Sequence, residues 1–248
     1  MTLTVELDTA RPPAAHPASG FTDLTELTPR QLAERAGEEL EGAPPIEVLR
    51  WAIDRFSPRF AITASMQDTV LVHMAAQIRP GVPVIFLDTG YHFAETIGTA
   101  DAAESVYGLN LLRIRPKMSV AQQDETYGPR LYERDPDQCC SIRKVKPLQE
   151  AMRPYVAWAT GLRRDEAESR QTARLVEWDE TKMRVKINPL VAWSDEQIDA
   201  YVADHGVLVN PLLSEGYGSV GCEPCTLKGL GRSGRWANQN KTECGLHL

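Results

Sequence analysis

Five cysteines are arranged unevenly along the chain. Cys139 and Cys140 are adjacent, Cys222 and Cys225 form a Cys-x-x-Cys, and Cys244 stands alone in Glu243-Cys244-Gly245-Leu246-His247. Two close thiol pairs separated by about eighty residues form a ligand set for a metal ion or cluster. Neighbouring cysteines are awkward for one small tetrahedral ion, because both thiolates must bend back on the same atom. A four-iron cluster offers them separate irons, which favours it over the competing four-thiolate zinc site. Arg143, Lys144 and Lys146 lie beside the first pair and would offset negative thiolate charge. The fifth thiol has no partner in the sequence. It is either an inert tail residue or a nucleophile, and Arg232-Ser233-Gly234-Arg235-Trp236 upstream could hold an anion near it and raise its thiolate fraction. His247 is close to Cys244 in sequence, although a lone histidine is usually a surface residue.

Three further clusters carry donors for an anionic ligand. Ser65-Met66-Gln67-Asp68-Thr69 sits between a predicted strand and helix, where free backbone N–H groups suit an anion; ordinary helix capping by Ser65 and Asp68 is the alternative. Leu87-Asp88-Thr89-Gly90-Tyr91-His92 ends another strand. Gly90 there permits close backbone approach and Asp88 could accept from a ribose or an adenine amine, unless the segment is only a turn. Gly161-Leu162-Arg163-Arg164, with Glu166 and Arg170, could clamp phosphate or sulfate through guanidinium forks; a solvated charged loop is the alternative.

These clusters need elements to position them. Thr28-Pro29 opens a helix to about Leu40, and Pro44-Pro45 another through Phe56. Strands are expected at Phe60–Thr63, Val82–Leu87, Leu109–Ile114, Tyr155–Thr160 and Met183–Ile187, with helices over Thr69–Ile78 and about Phe93–Tyr107. Ser194-Asp195-Glu196-Gln197 starts a helix that stops near Gly206. The alternation implies an α/β fold, a mostly parallel twisted sheet with helices on both faces. Ligands in such sheets bind beyond the carboxyl ends of the strands, where the polar clusters fall. Residues 1–20 read as a disordered lead, 21–230 as the α/β domain and 231–248 as a flexible C-terminal tail.

The chain has 248 residues, 42% hydrophobic and 25% charged, with net charge −7. The acidic balance argues against a general nucleic-acid binder, and no apolar run reaches membrane-span length. The N-terminus lacks the pattern of a secretory signal. A cytoplasmic location is expected, where thiols stay reduced and are read first as metal-binding or catalytic. Oligomeric state is left open, a homo-oligomer included.

Taken together, Cys-Cys, Cys-x-x-Cys, Arg-x-Gly-Arg-Trp and Glu-Cys-Gly-Leu-His resemble the assimilatory adenylyl-sulfate (APS) reductases of bacteria, within the phosphoadenylyl-sulfate (PAPS) reductase family. The Leu-Asp-Thr-Gly and Gly-Leu-Arg-Arg segments match the same family, and the resemblance spans about residues 45–248. It implies an adenine nucleotide α-hydrolase-like fold related to the PP-loop ATP pyrophosphatases. Those relatives carry Ser-Gly-Gly-x-Asp-Ser, whereas this chain has Ser65-Met66-Gln67-Asp68-Thr69, which opposes ATP cleavage and suits a phosphosulfate. The resemblance further implies that Cys244 attacks the sulfur of APS, that AMP leaves, and that thioredoxin releases sulfite from the S-sulfocysteine. It assigns one 4Fe-4S cluster to Cys139, Cys140, Cys222 and Cys225. It places substrate contacts on Lys144, Arg232 and Arg235, with the Arg163–Arg164 segment nearby. Ser65, Asp68, Thr69, Leu87, Asp88, Thr89, Gly90, Gly161 and His247 complete the expected binding site. A PAPS reductase and a PP-loop tRNA-thiolation enzyme are the competing functions; the cysteine pairs oppose the first, the lost glycines and net acidity the second.

Overall fold

The computed structural model describes residues 27–237, 239, 241–243 and 245–246. The lead over 1–20, Cys244 and His247 lie outside the described residues.

Six strands form one sheet: β1 (Phe60–Thr63), β2 (Pro83–Leu87), β3 (Asn110–Ile114), β4 (Ala157–Thr160), β5 (Val176–Asp179) and β6 (Arg184–Ile187), in the order β3-β2-β1-β4-β6-β5. All pairs are parallel except β5 against β6. The expected α/β sheet is therefore observed. The antiparallel edge strand β5 was not foreseen: Val176-Glu177-Trp178-Asp179 does alternate apolar and polar residues, but a four-residue run is too short to stand out as a strand.

Side chains of a strand point alternately to opposite faces, and here both faces are apolar. Phe60, Ile62, Val84, Phe86, Ala157 and Ala159 join one core. Helices α1 (Pro29–Glu39), α2 (Pro45–Phe56), α3 (Val70–Ile78), α4 (Ala94–Tyr107) and α9 (Asp195–His205) contribute to that core. Ala61, Ile85 and Trp158 face the other way and pack with Leu148 and Met152. Burial on both faces is what makes these strands read as continuous apolar runs. The predicted helix ends hold: Thr28 and Ser194 form capping boxes, and Gly206 closes α9 with φ 60.

Between β3 and β4 the chain forms short helices, α5 (Val120–Tyr127), α6 (Leu131–Arg134), α7 (Pro136–Cys140) and α8 (Lys146–Ala151). Ser141–Val145 between the last two is a π-helical turn, a feature often found at functional sites. Beyond Val207 the described chain has 3-10 turns and isolated bridges, which include Asp68 with Val209 and His92 with Cys222. These bridges hold the C-terminal segment against the carboxyl ends of the strands. Among the described residues no helix is long and apolar enough to cross a membrane.

Candidate active site

The sheet reverses its winding between β1 and β4, and ligands of open α/β sheets bind at that switch point. A cavity of about 180 Å³ lies there. Its apolar wall includes Leu71, Val72, Phe86 and Trp158, and its polar wall includes Ser65, Gln67, Asp68, Thr160 and Gly161. Four cations also line it: Lys144, Arg170, Arg232 and Arg235.

The loop before α3 is held from outside. Gln67 Oε1 accepts from Val220 N–H at 2.9 Å and from the Ser219 hydroxyl at 3.2 Å, and Asn210 N–H donates to Gln67 O at 2.9 Å. Met66 has φ 60, in the left-handed region that favours glycine. The curve survives without glycine because the Met66 side chain is fully buried in the core. Asp68 Oδ1 caps α3 by accepting from Val70 N–H at 3.1 Å. Burial pushes the Asp68 carboxyl above its ordinary range, and nearby Glu166 adds to this.

The arginines come from three places. Arg170 ends the 3-10 turn Glu168–Arg170. Its Nε and Nη2 donate to Glu243 at 2.7 and 3.0 Å, and its Nη1 pairs with Glu166. Arg232 Nη2 donates to Glu243 at 3.1 Å. Burial, then Arg170 and Arg235, pull the Arg232 guanidinium below its usual range, and Glu243 and Glu166 oppose that shift, so this wall already gathers carboxylates around its positive charges. Arg235 Nη1 donates to Val220 O and the Ser219 hydroxyl, both at 3.3 Å, and stacks 4.5 Å from the Trp236 ring centroid. Glycine is required in their loop. A Cβ at Gly234 would lie 1.9 Å from Leu227 O, and one at Gly221 would lie 2.4 Å from Arg235 Cζ.

Of the predicted contacts, Ser65, Asp68, Leu87, Lys144, Gly161, Arg232 and Arg235 line the cavity. Thr69, Asp88, Thr89, Gly90, Arg163 and Arg164 do not. The Thr69 hydroxyl donates to Leu208 O at 2.7 Å, and Asp88 accepts from Arg115 at 2.8 Å. Arg163 pairs with Asp195, and Arg164 Nε donates to Ala173 O at 2.8 Å. Arg170, not the Arg163–Arg164 pair, faces the cavity. Its cue was present as the basic residue closing the same cluster, but sequence does not tell which way a side chain points. His92 was also unassigned. It lines the cavity with Nε2 2.8 Å from Leu87 O, and burial then holds its imidazole below the ordinary range, with Lys144 acting in the same sense.

All four paired cysteines line a second, smaller chamber with Arg143, Lys144, Arg235 and Trp236. Lys144 and Arg235 thus belong to both walls. Cys139 and Cys140 end α7; Cys222 precedes the 3-10 turn Glu223–Cys225, and Cys225 ends it. The bridge from His92 to Cys222, and Glu223 N–H donating to Tyr91 O at 2.7 Å, bring the second pair to the first. Thr89 Oγ1 lies 3.4 Å from Cys222 Sγ. Burial, then the neighbouring thiols, push Cys139 up to about 11; burial, then Cys222, push Cys225 up to about 12. Lys144 opposes both shifts. Among the described residues no three His, Cys, Asp or Glu side chains are grouped to hold a metal ion. Arg143 Nη2, Arg235 Nε and Trp236 Nε1 are buried donors without a partner among the described residues. Buried donors are costly to leave unpaired, so this chamber suits a group bringing extra acceptors.

Described residues after Trp236 contact the cavity wall or the short helices beside the thiol chamber. Gln239 Nε2 donates to Tyr132 O at 2.9 Å, Lys241 pairs with Asp137, and Glu243 meets Arg170 and Arg232. Leu246 lines the cavity and packs on the core around Trp158.

A mostly parallel sheet with a cation-lined cavity at its switch point defines an α/β domain built to hold an anionic ligand. Its fold is similar to FMN adenylyltransferase of Candida glabrata, at TM-score 0.51 and 13% identity over 81% of this chain and 74% of that one. Residues 58–228 match the phosphoadenosine phosphosulfate reductase domain, and the chain belongs to that family. It is 56% identical over 222 residues to the adenosine 5′-phosphosulfate reductase of Streptomyces coelicolor, covering 88% of this chain and 94% of that protein. It is also similar to the phosphoadenylyl-sulfate (PAPS) reductase of Candida auris, solved as a phosphate complex. That match has TM-score 0.72 and 30% identity, covering 81% of this chain and 98% of the other.

Proposed function

We propose that this chain reduces adenosine 5′-phosphosulfate to sulfite and AMP in assimilatory sulfate reduction, with thioredoxin as donor in a reducing cytoplasm. The observation that carries this reading is the shared wall. Lys144 and Arg235 line both the anion cavity and the four-thiol chamber, and the residues flanking Cys244 are anchored over the cavity.

The chemistry balances in two steps. The Cys244 thiolate attacks the sulfate sulfur, an S–S bond forms, the S–O bond to the phosphate breaks, and AMP leaves with that electron pair. A thiolate of the donor dithiol then attacks Cys244 Sγ, and sulfite departs with the S–S pair, its sulfur reduced by two electrons. The donor's second thiol resolves the mixed disulfide, which returns Cys244 and leaves the donor oxidised. AMP is a stable leaving group, so no strong general acid is needed. The cations of the cavity hold the phosphosulfate and stabilise the departing charge. On this reading 21–230 form the binding domain and 231–248 the tail that carries the nucleophile.

The chamber fits one 4Fe-4S cluster on Cys139, Cys140, Cys222 and Cys225, because its three orphaned donors would find sulfur acceptors there. When bound, such a cluster supplies local charge and ties α7 to the Cys222–Cys225 segment.

Incubation with adenosine 5′-phosphosulfate alone should leave an SO3 adduct on Cys244 by mass spectrometry, in protein carrying about four iron and four sulfide per chain. An adduct on Cys225, or colourless zinc protein, would overturn the assignment. Competition with the 3′-phosphorylated nucleotide separates this reading from a PAPS reductase.

Gly234→Ala should weaken AMP binding about ten- to a hundredfold, the value of one or two displaced charged hydrogen bonds. The added Cβ would meet Leu227 O and shift the loop carrying Arg232 and Arg235. Calorimetric titration with AMP checks this.

A further inference from the structure

We propose that Tyr107 is a positioning residue for the anion cavity, its hydroxyl closing a ring of hydrogen bonds that sets the loop before α3. This rests on the reading of the cavity as the nucleotide site and assigns a role to a residue that does not line it.

Leu208 N–H donates to the Tyr107 hydroxyl oxygen at 2.8 Å, that oxygen lies 3.2 Å from Thr69 Oγ1, and Thr69 Oγ1 lies 2.7 Å from Leu208 O. Elementary chemistry fixes the direction of every bond. A carbonyl can only accept, so the single Thr69 proton goes to Leu208 O. The bond between the two hydroxyls must then use the Tyr107 proton. The ring begins and ends on the backbone of one residue and has no other proton arrangement.

Thr69 surrenders a bond to join it. At the N-cap of a helix a threonine hydroxyl ordinarily accepts from a leading amide, yet Thr69 at the N-cap of α3 makes no such bond. Asp68 caps Val70 N–H in its place. The Tyr107 ring is itself held edge-on against His73, with centroids 5.2 Å apart.

The ring supports a loop that needs support. Ser65–Thr69 has no glycine, and Met66 still takes φ 60. Next to the ring, Asp68 bridges to Val209, and fully buried Asn210 donates from N–H to Gln67 O at 2.9 Å and from Nδ2 to Met66 O at 3.2 Å. The ring sets the register of these bonds. The same loop supplies Ser65, Gln67 and Asp68 to the cavity. Gln67 also accepts from Ser219 and Val220, the residues that receive Arg235. A shift at Thr69 is thus passed to the cavity wall.

Tyr107→Phe, Thr69→Val and the double variant, each in the full, cofactor-loaded chain, are the test. Calorimetric titration should show AMP binding weakened about five- to thirtyfold by Tyr107→Phe, part of the worth of two hydrogen bonds and an unpaired backbone amide. Thr69→Val, which leaves the aromatic side intact, should cost a similar factor. The double variant should bind within about twofold of either single one, because the ring acts as a unit. In the ligand-free protein, amide exchange over 67–70 and 208–210 should speed up about tenfold in Tyr107→Phe and stay at wild-type rates over β1 and β4. AMP affinity within about twofold of wild type in Tyr107→Phe would refute the proposal, and so would factors that multiply in the double variant. Wild-type protein that binds no AMP would strike the reading of the cavity instead. Amide exchange would still judge the ring, and unchanged protection in Tyr107→Phe would refute it.

Discussion

Cys244→Ser is expected to lower sulfite formation by at least about 10⁴-fold, the scale seen when an enzyme loses its nucleophile. A serine hydroxyl is almost fully protonated at neutral pH, and S–S bond formation has no counterpart for oxygen that a dithiol could reduce. Both half-reactions therefore fail together. Iron content and AMP affinity should remain at wild-type values, since neither the four paired cysteines nor the cavity-lining cations are altered. Stopped-time sulfite assays, iron analysis and AMP titration on one preparation check all three. Residual turnover above about 1% of wild type would mean another group attacks sulfur, because a lost nucleophile leaves far less than that.

Lys144→Met should lower kcat/KM about 10²- to 10³-fold, the range for removing one preorganised charge at a transition state. Lys144 is 8% exposed and sits in the π-helical turn that follows the adjacent cysteines. Its charge favours the thiolates of Cys139 and Cys225 and disfavours a cationic His92. It is thus the group through which the charge state of one chamber is felt in the other. Methionine keeps the apolar stem and removes the charge. Circular dichroism and iron content should be close to wild type, and Lys144→Arg should restore part of the rate. Turnover within about twofold of wild type in Lys144→Met, under 0.5 kcal/mol of barrier, would remove this charge from the chemistry.

Much of the scaffold was legible because its signals are local. Thr28 and Ser194 announce helix starts through capping boxes, Gly206 announces a stop, and the central strands are short unbroken apolar runs. The helices between β3 and β4 were not, for physical reasons. Pro129, Pro136 and Pro147 punctuate the stretch, and α5 buries only Gln123, so no apolar stripe exists to be read. At the site, spacing told which residues share a loop but not which way each points. Asp88, Arg163 and Arg164 turned to Arg115, Asp195 and Ala173, while Arg170 turned inward. The Arg170–Glu243 pair joins residues 73 apart, a contact that only the folded sheet creates.

The Cys222–Cys225 turn, both loop arginines, Glu243 and Leu246 all fall within the last 27 residues, the segment that lies against the carboxyl ends of the strands. Half of the thiol chamber and two of the four cavity cations therefore rest on one segment, which holds to the sheet through isolated bridges and loop hydrogen bonds. Loosening that attachment would disarm anion capture and the thiol chamber together, so neither can be lost without the other.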